Sequence, residues 1–136
     1  TSICMLLILV ACSDSKINNA TIKIRPYNQN DRGKFWEICI DYDKSGFSEL
    51  VAYFEIKSKN GIVKNYSVDF IHLKEKCNSL NILTYFTNRF TPNEEWEWLR
   101  TLDADNIDVV ILRVKKNYND TNYIFEKTFN TIDLKE

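Results

Sequence analysis

The chain has 136 residues and a formal net charge of −1, with 18 Lys or Arg against 19 Asp or Glu. So even a balance leaves no basic footprint for nucleic acid and no basic patch for an anionic membrane surface. Aromatic residues make up 13% while Gly and Pro number only 3 and 2, which excludes a disordered or low-complexity chain.

The first feature is an apolar run from Met5 to Cys12 (MLLILVAC), overlapping a stretch from Ile3 to Ala11 that carries no charge. It is too short to span a bilayer, which takes about 20 apolar residues, and has the length of a signal-peptide apolar core. The junction Leu9-Val10-Ala11-Cys12 resembles the lipobox of bacterial lipoproteins. That resemblance implies that residues 1–11 are a signal peptide, that the Cys12 thiol receives a diacylglycerol, and that the new amine is acylated. Two or more acyl chains make membrane attachment stable where a single one is marginal. In that resemblance the protein belongs to the bacterial cell envelope, and Ser13 rather than Asp directly after the lipidated position implies the outer membrane rather than the inner, with Asp14 one place later pointing the other way. No Lys or Arg precedes the run and residue 1 is Thr, so the signal is expected to be truncated at its basic leader. A plain cleaved secretory signal and a buried first strand of a cytosolic domain are the competing readings.

The expected organisation is therefore signal peptide 1–11, lipidated Cys and tether 12–19, and a single domain over 20–136, long enough for a real hydrophobic core. A tether of the seven residues Ser13 to Asn19 reaches at most roughly 25 Å, which keeps the domain near the bilayer. With Cys4 removed and Cys12 acylated, Cys39 and Cys77 remain, and an oxidising compartment favours a disulfide between them over two free thiols.

Along the domain, Thr21 to Tyr27 reads as a strand with Ile22 and Ile24 on one face and Pro26 near its end. After a turn over Asn28 to Gly33, Lys34 to Tyr42 alternates clearly. Trp36, Ile38, Ile40 and Tyr42 point one way, and Glu37, Cys39 and Asp41 the other. A bridge from Cys39 is thus expected to staple an outer loop onto the sheet. A turn at Asp43 to Gly46 leads into a strand from Ser48 to Ser58, with Leu50, Ala52, Phe54 and Ile56 on one face. Asn60-Gly61 predicts a two-residue hairpin turn with positive φ, returning through a strand from Ile62 to Ile71 that faces Tyr66, Val68 and Phe70 one way. His72 to Ser79 reads as a loop holding Cys77, and Leu80 to Thr87 as another strand.

Thr91-Pro92-Asn93-Glu94 predicts a capping box and a short helix from Pro92 to Thr101. Strands from Ile107 to Lys115 and from Asn122 to Asn130 follow, joined by a polar loop, with Lys115, Lys116, Lys127 and Lys135 keeping this last hairpin soluble. Seven strands and one short helix predict an all-β, immunoglobulin-like antiparallel sandwich, with a small β-barrel as the alternative. The helical corner before a late apolar strand resembles the connection preceding strand F of immunoglobulin-like domains, without that family's corner Tyr and paired Cys.

Few constellations suggest chemistry. Asp41, Asp43, Ser45 and Glu49 around Gly46 open like an EF-hand calcium loop. The pattern departs at Ala52, where a bidentate Glu belongs, and its flanks read as strands, so turn chemistry accounts for it. Asp103, Asp105, Asn106 and Asp108 form a second acidic cluster. No metal and no cofactor is expected. The chain has one His, His72, and none of the nucleophile-elbow, zinc-helix or phosphate-loop patterns, so no enzyme is expected. Glu37 and Asp41 read as solvated charges. Trp96 and Trp98, among Glu94, Glu95 and Glu97, are the most distinctive side chains. They read as a core lid or as anchors for a partner, since Trp is enriched among binding hot spots.

The expected function is a non-catalytic, lipid-anchored envelope module that contacts another envelope or exported protein, as accessory subunit, inhibitor or immunity protein. A small-ligand or glycan receptor using Trp96 and Trp98 is the alternative, and calcium-dependent adhesion a third reading. Its partners would be the membrane, through the lipid, and a protein, with no nucleic acid and the oligomeric state left open.

Overall fold

The computed structural model describes residues 16–26, 33–43, 49–70 and 76–136. Among them, β1 (Ile17–Ile24), β2 (Phe35–Tyr42) and β5 (Cys77–Asn81) form one sheet in the order β1-β2-β5. The second sheet holds β3 (Leu50–Ser58), β4 (Val63–Phe70), β6 (Ile107–Lys115) and β7 (Phe125–Asn130) in the order β4-β3-β6-β7. Every pairing is antiparallel, and the two sheets form a sandwich and no closed barrel. Three short helices, α1 (Ile82–Tyr85), α2 (Asn93–Arg100) and α3 (Thr131–Leu134), and a 3₁₀ turn at Ala104–Asn106 complete the described chain.

The strand order is that of an immunoglobulin-like sandwich in which the fourth strand lies beside the third instead of the fifth. The tight β3–β4 turn is the cause, because a connection this short can only join neighbours. The turn itself has three residues, Lys59 to Gly61, and not the expected two. Gly61 N–H donates to the Ser58 carbonyl at 2.9 Å, Ser58 N–H donates to the Ile62 carbonyl at 2.9 Å, and Gly61 takes a φ of 92°. This is the turn-plus-bulge loop in which only the last position needs the left-handed region.

The inward stripes are those of the alternating pattern. Trp36, Ile38, Ile40 and Tyr42 of β2 meet Leu50, Ala52, Phe54 and Ile56 of β3 and Val110, Leu112 and Val114 of β6 in one buried core. At its centre, Trp36 is fully buried and meets Phe54 and Phe86 edge-on, with ring centroids 6.2 and 5.7 Å away.

Several expectations are corrected. β1 starts at Ile17, which is buried and pairs with Tyr42, so residues 17–19 belong to the sheet and not to a tether. Cys77 opens a strand and does not lie in a loop, and the strand expected over Leu80 to Thr87 ends at Asn81. There the Asn81 Oδ1 accepts from Leu83 N–H at 3.1 Å and from Lys34 N–H at 3.2 Å, capping α1 and tying it to β2. A helical turn lets adjacent Ile82 and Leu83 both join the same core, whereas a strand would send them to opposite faces. β7 begins at Phe125, and α3 follows it in a capping box formed by Asn130 and Asp133.

Lys127 is not a solubilising surface charge. It stands opposite Leu112 on the inward side, and its ammonium donates to Asn19 Oδ1 and the Ala20 carbonyl, both at 2.8 Å. It thus laces β7 to β1 along one side of the sandwich. On the other side, the segment from α1 to α2 leaves β5 and packs onto β4, where Tyr66 stacks on Phe86.

Candidate interaction surface

The α1–α2 corner is held by short-range hydrogen bonds. Thr87 Oγ1 donates back to the Leu83 carbonyl, and Asn88 then organises the next turn. Its Oδ1 accepts from Phe90 N–H at 2.8 Å, its carbonyl from Thr91 N–H at 3.1 Å, and its own N–H donates to Thr91 Oγ1 at 2.9 Å. Asn side chains favour such local turns because they mimic the backbone. With the Thr91 hydroxyl so engaged, the expected capping box does not form. Pro92 is the N-cap of α2, without a side-chain hydrogen bond.

This frame presents Phe90 to solvent with 78% of its surface exposed, the Arg89 guanidinium lying 4.7 Å from its ring centroid. Tyr85, at the end of α1, is half exposed. A single buried position, Leu99, seats α2, helped by Leu102 just beyond it. Trp96 and Trp98 are both partly buried against the core. Two residues apart, they point to different sides of the helix. Trp96 lines a cleft with Leu83, Asn93, Glu97 and Arg100, and Trp98 lines another against the hairpin residues Ser58 to Asn60.

Electrostatics tie α2 to β4. Glu95 accepts from Tyr66 Oη at 3.2 Å and lies 3.4 Å from Lys64 Nζ, which also sits 5.6 Å from the Trp98 ring centroid. Burial first, and then the Glu95 carboxylate, push the Tyr66 hydroxyl well above its ordinary pKa.

No protein-family model matches the chain, and no curated protein or solved structure matches it either. The functional reading therefore rests on the residues themselves.

Cys39 and Cys77 form the disulfide. It does not staple an outer loop. The two residues are directly opposite in β2 and β5, with Cα atoms 4.0 Å apart, on the face away from the core. Ile40 N–H donates to the Lys76 carbonyl at 2.9 Å, so the cysteines occupy the adjacent non-hydrogen-bonded pair, where side chains lie closest.

Of the calcium-loop candidates, Asp41 Oδ1 accepts from Lys76 Nζ at 2.7 Å. Asp43 and Glu49 are described, and Ser45 lies outside the described residues. Among the described residues no group of three or more His, Cys, Asp or Glu is placed to hold a metal ion. The second acidic cluster is dispersed over lysines: Lys34 pairs with Asp103, Lys135 with Asp105 at 2.8 Å, and Lys57 with Asp108 at 4.0 Å. Asp103 and Asn106 also bond each other's backbone in the capping box of the 3₁₀ turn. Cys12, the lipobox and His72 lie outside the described residues. No helix among the described residues is long and apolar enough to cross a membrane.

Phe90 and Tyr85 of this corner are exposed aromatics that the sequence did not single out. The signal for Phe90 was Asn88, a turn-forming residue two positions before the aromatic.

Proposed function

We propose that this chain is a lipid-anchored, non-catalytic interaction module of a bacterial cell envelope, and that its α1–α2 corner meets a protein partner. The observation that carries the reading is Phe90, a large apolar ring held out by a turn already braced through Asn88 and Thr91. A pre-ordered aromatic loses little conformational freedom on docking, which is the condition for a strong anchor. Tyr85 and Trp96 extend the corner with further aromatic surface. The envelope and lipid parts rest on the resemblance of Leu9-Val10-Ala11-Cys12 to a lipobox, and the disulfide suits an oxidising compartment. The non-catalytic part rests on the lack of catalytic patterns in the sequence.

Two experiments test the two parts. Full-length precursor carrying a basic leader should incorporate labelled palmitate and partition into detergent, and Cys12→Ala should do neither. A wild-type precursor that stays aqueous and unlabelled ends the anchoring claim. Affinity capture from the protein's own membranes should recover a defined partner, lost with Phe90→Ala at unchanged melting temperature and weakened with Trp96→Ala. Capture indifferent to both substitutions removes the corner from the function.

A further inference from the structure

The geometry points to a second binding site, separate from the helical corner: a groove for a neutral saccharide on the outer face of the four-stranded sheet. Strand register assembles it. Ser67, Tyr53, Arg113 and Glu126 are consecutive partners across β4, β3, β6 and β7, and Asn65 and Glu55 form the adjoining pair. All belong to the positions that alternate with the inward stripe.

The chain between β6 and β7 folds back over this face. It lays Tyr123 edge-on against Tyr53, with centroids 5.8 Å apart and planes at 76°. Lys115 Nζ lies 5.2 Å from the Tyr53 centroid and 5.1 Å from that of Tyr123. Beside them Val51 is fully buried although it stands outside the inter-sheet core. The outer face thus has its own small packed floor, which a bare solvated sheet would lack. Between Tyr53, Tyr123, Asn65, Ser67, Glu55 and Arg113 remains a groove of about 380 Å³. That is within the size range of small-ligand sites, and every lining residue but Tyr123 stands on a strand, which holds side chains more firmly than a loop does.

Charge selects the occupant. Arg113 donates to Glu126 at 2.9 Å and to Glu55 at 3.4 Å, so its guanidinium is fixed between two carboxylates. Of the residues lining the groove, Arg113 and Glu55 are the charged ones and balance each other, which leaves no net charge in it to attract an anion or a cation. What remains is a set of fixed donors and acceptors. The carboxylates accept, the guanidinium donates, and the Asn65 amide and Ser67 hydroxyl do both. Half-exposed Tyr123 adds an aromatic surface. Hydroxyls around an apolar ring face are the chemistry that answers this set, and a pyranose carries both.

The test is a two-dimensional amide titration of the folded chain with cellotriose, maltotriose and triacetylchitotriose, each alone, and with a heparin hexasaccharide as charged comparison. At least one neutral trisaccharide should produce saturable shifts centred on Tyr53, Ser67, Arg113 and Tyr123. Tyr123→Ala should weaken that binding about tenfold or more, a change expected from losing one well-placed aromatic contact. Phe90→Ala should leave it unchanged, which separates this site from the corner. No saturable shift with any of the three, shifts centred elsewhere, or a response to the heparin fragment alone would overturn the proposal. The wild-type shift map decides this even if the Tyr123 variant folds poorly.

Discussion

The ring of Tyr66 lies flat on that of Phe86, with centroids 4.6 Å apart and planes 5° from parallel. Tyr66 belongs to β4, and Phe86 closes α1, so this contact clamps the helical corner to the sheet. Phe86 also meets Trp36 and Phe54 in the centre of the core. Phe86→Ala should therefore cost about 3–5 kcal/mol, the usual range for emptying a buried aromatic site. Tyr66→Phe keeps the stack and gives up only the hydrogen bond to Glu95, a loss of about 1 kcal/mol. Urea midpoints of the two variants check the contrast, and equal losses would contradict it.

The same tyrosine makes the fold sensitive to alkali. Its hydroxyl is held above the ordinary value of 10.0 by burial and by the neighbouring Glu95 carboxylate, so the folded chain grips this proton more tightly than the unfolded one. The stabilisation is complete below pH 10 and fades as pH rises toward the folded-state value. Melting temperature should fall with rising alkalinity less steeply in Tyr66→Phe than in the wild type. Parallel curves would remove Tyr66 as the source.

The Cys39–Cys77 bond joins neighbouring strands 38 residues apart in sequence. Removing that constraint from the unfolded chain is worth at most about 4 kcal/mol by loop-closure entropy. The inward residues Trp36 and Leu80, paired across the same two strands, are untouched by its loss. Cys39→Ala combined with Cys77→Ala should thus fold, with a lower denaturation midpoint. Intact mass of the oxidised protein should show two fewer hydrogens than the reduced form. A midpoint unmoved by reduction would show that the bond contributes no stability.

Lys34 is a fully buried lysine whose ammonium meets the half-exposed carboxylate of Asp103. Removing one partner of such a pair leaves a buried charge uncompensated, whereas replacing the lysine with an apolar chain does not. Asp103→Asn, which can still cap the 3₁₀ turn, should cost about 2 kcal/mol after allowing for water at the exposed oxygen. Lys34→Met should cost less, and the double variant should recover part of the Asp103→Asn loss. A double-mutant cycle by chemical denaturation measures the coupling, and strict additivity would deny it.

Much of the sandwich was readable because half-buried strands must alternate. β6 spans the very residues its pattern marks, and the inward stripes of β2 and β3 are those read from every second position. The apolar run from Leu80 to Phe86 was misread because a short stretch of this kind fits a strand or a helical turn equally well. Asn81 decided between them, by reaching the amides of Leu83 and Lys34 at once. Of the candidate surface, the two tryptophans were conspicuous by type, while Phe90 became important only through the turn that holds it out. The tyrosine groove could not be read at all, since Tyr53 and Tyr123 meet from positions 70 apart in the sequence.

Alone, the order of side chains determined the inward stripes of β2, β3 and β6, the place of the turn at Asn60-Gly61, and an all-β antiparallel class in which a sandwich was preferred over a barrel. The folded chain decided that β5 lies beside β2 and β6 beside β3, that Cys39 opposes Cys77, and that Lys34 and Lys127 turn inward to partners far along the chain. The reason is that alternation selects a face, while neighbours are joined by backbone groups nearly identical at every residue. Which strand sits next to which is therefore settled only when connection lengths and core packing act together.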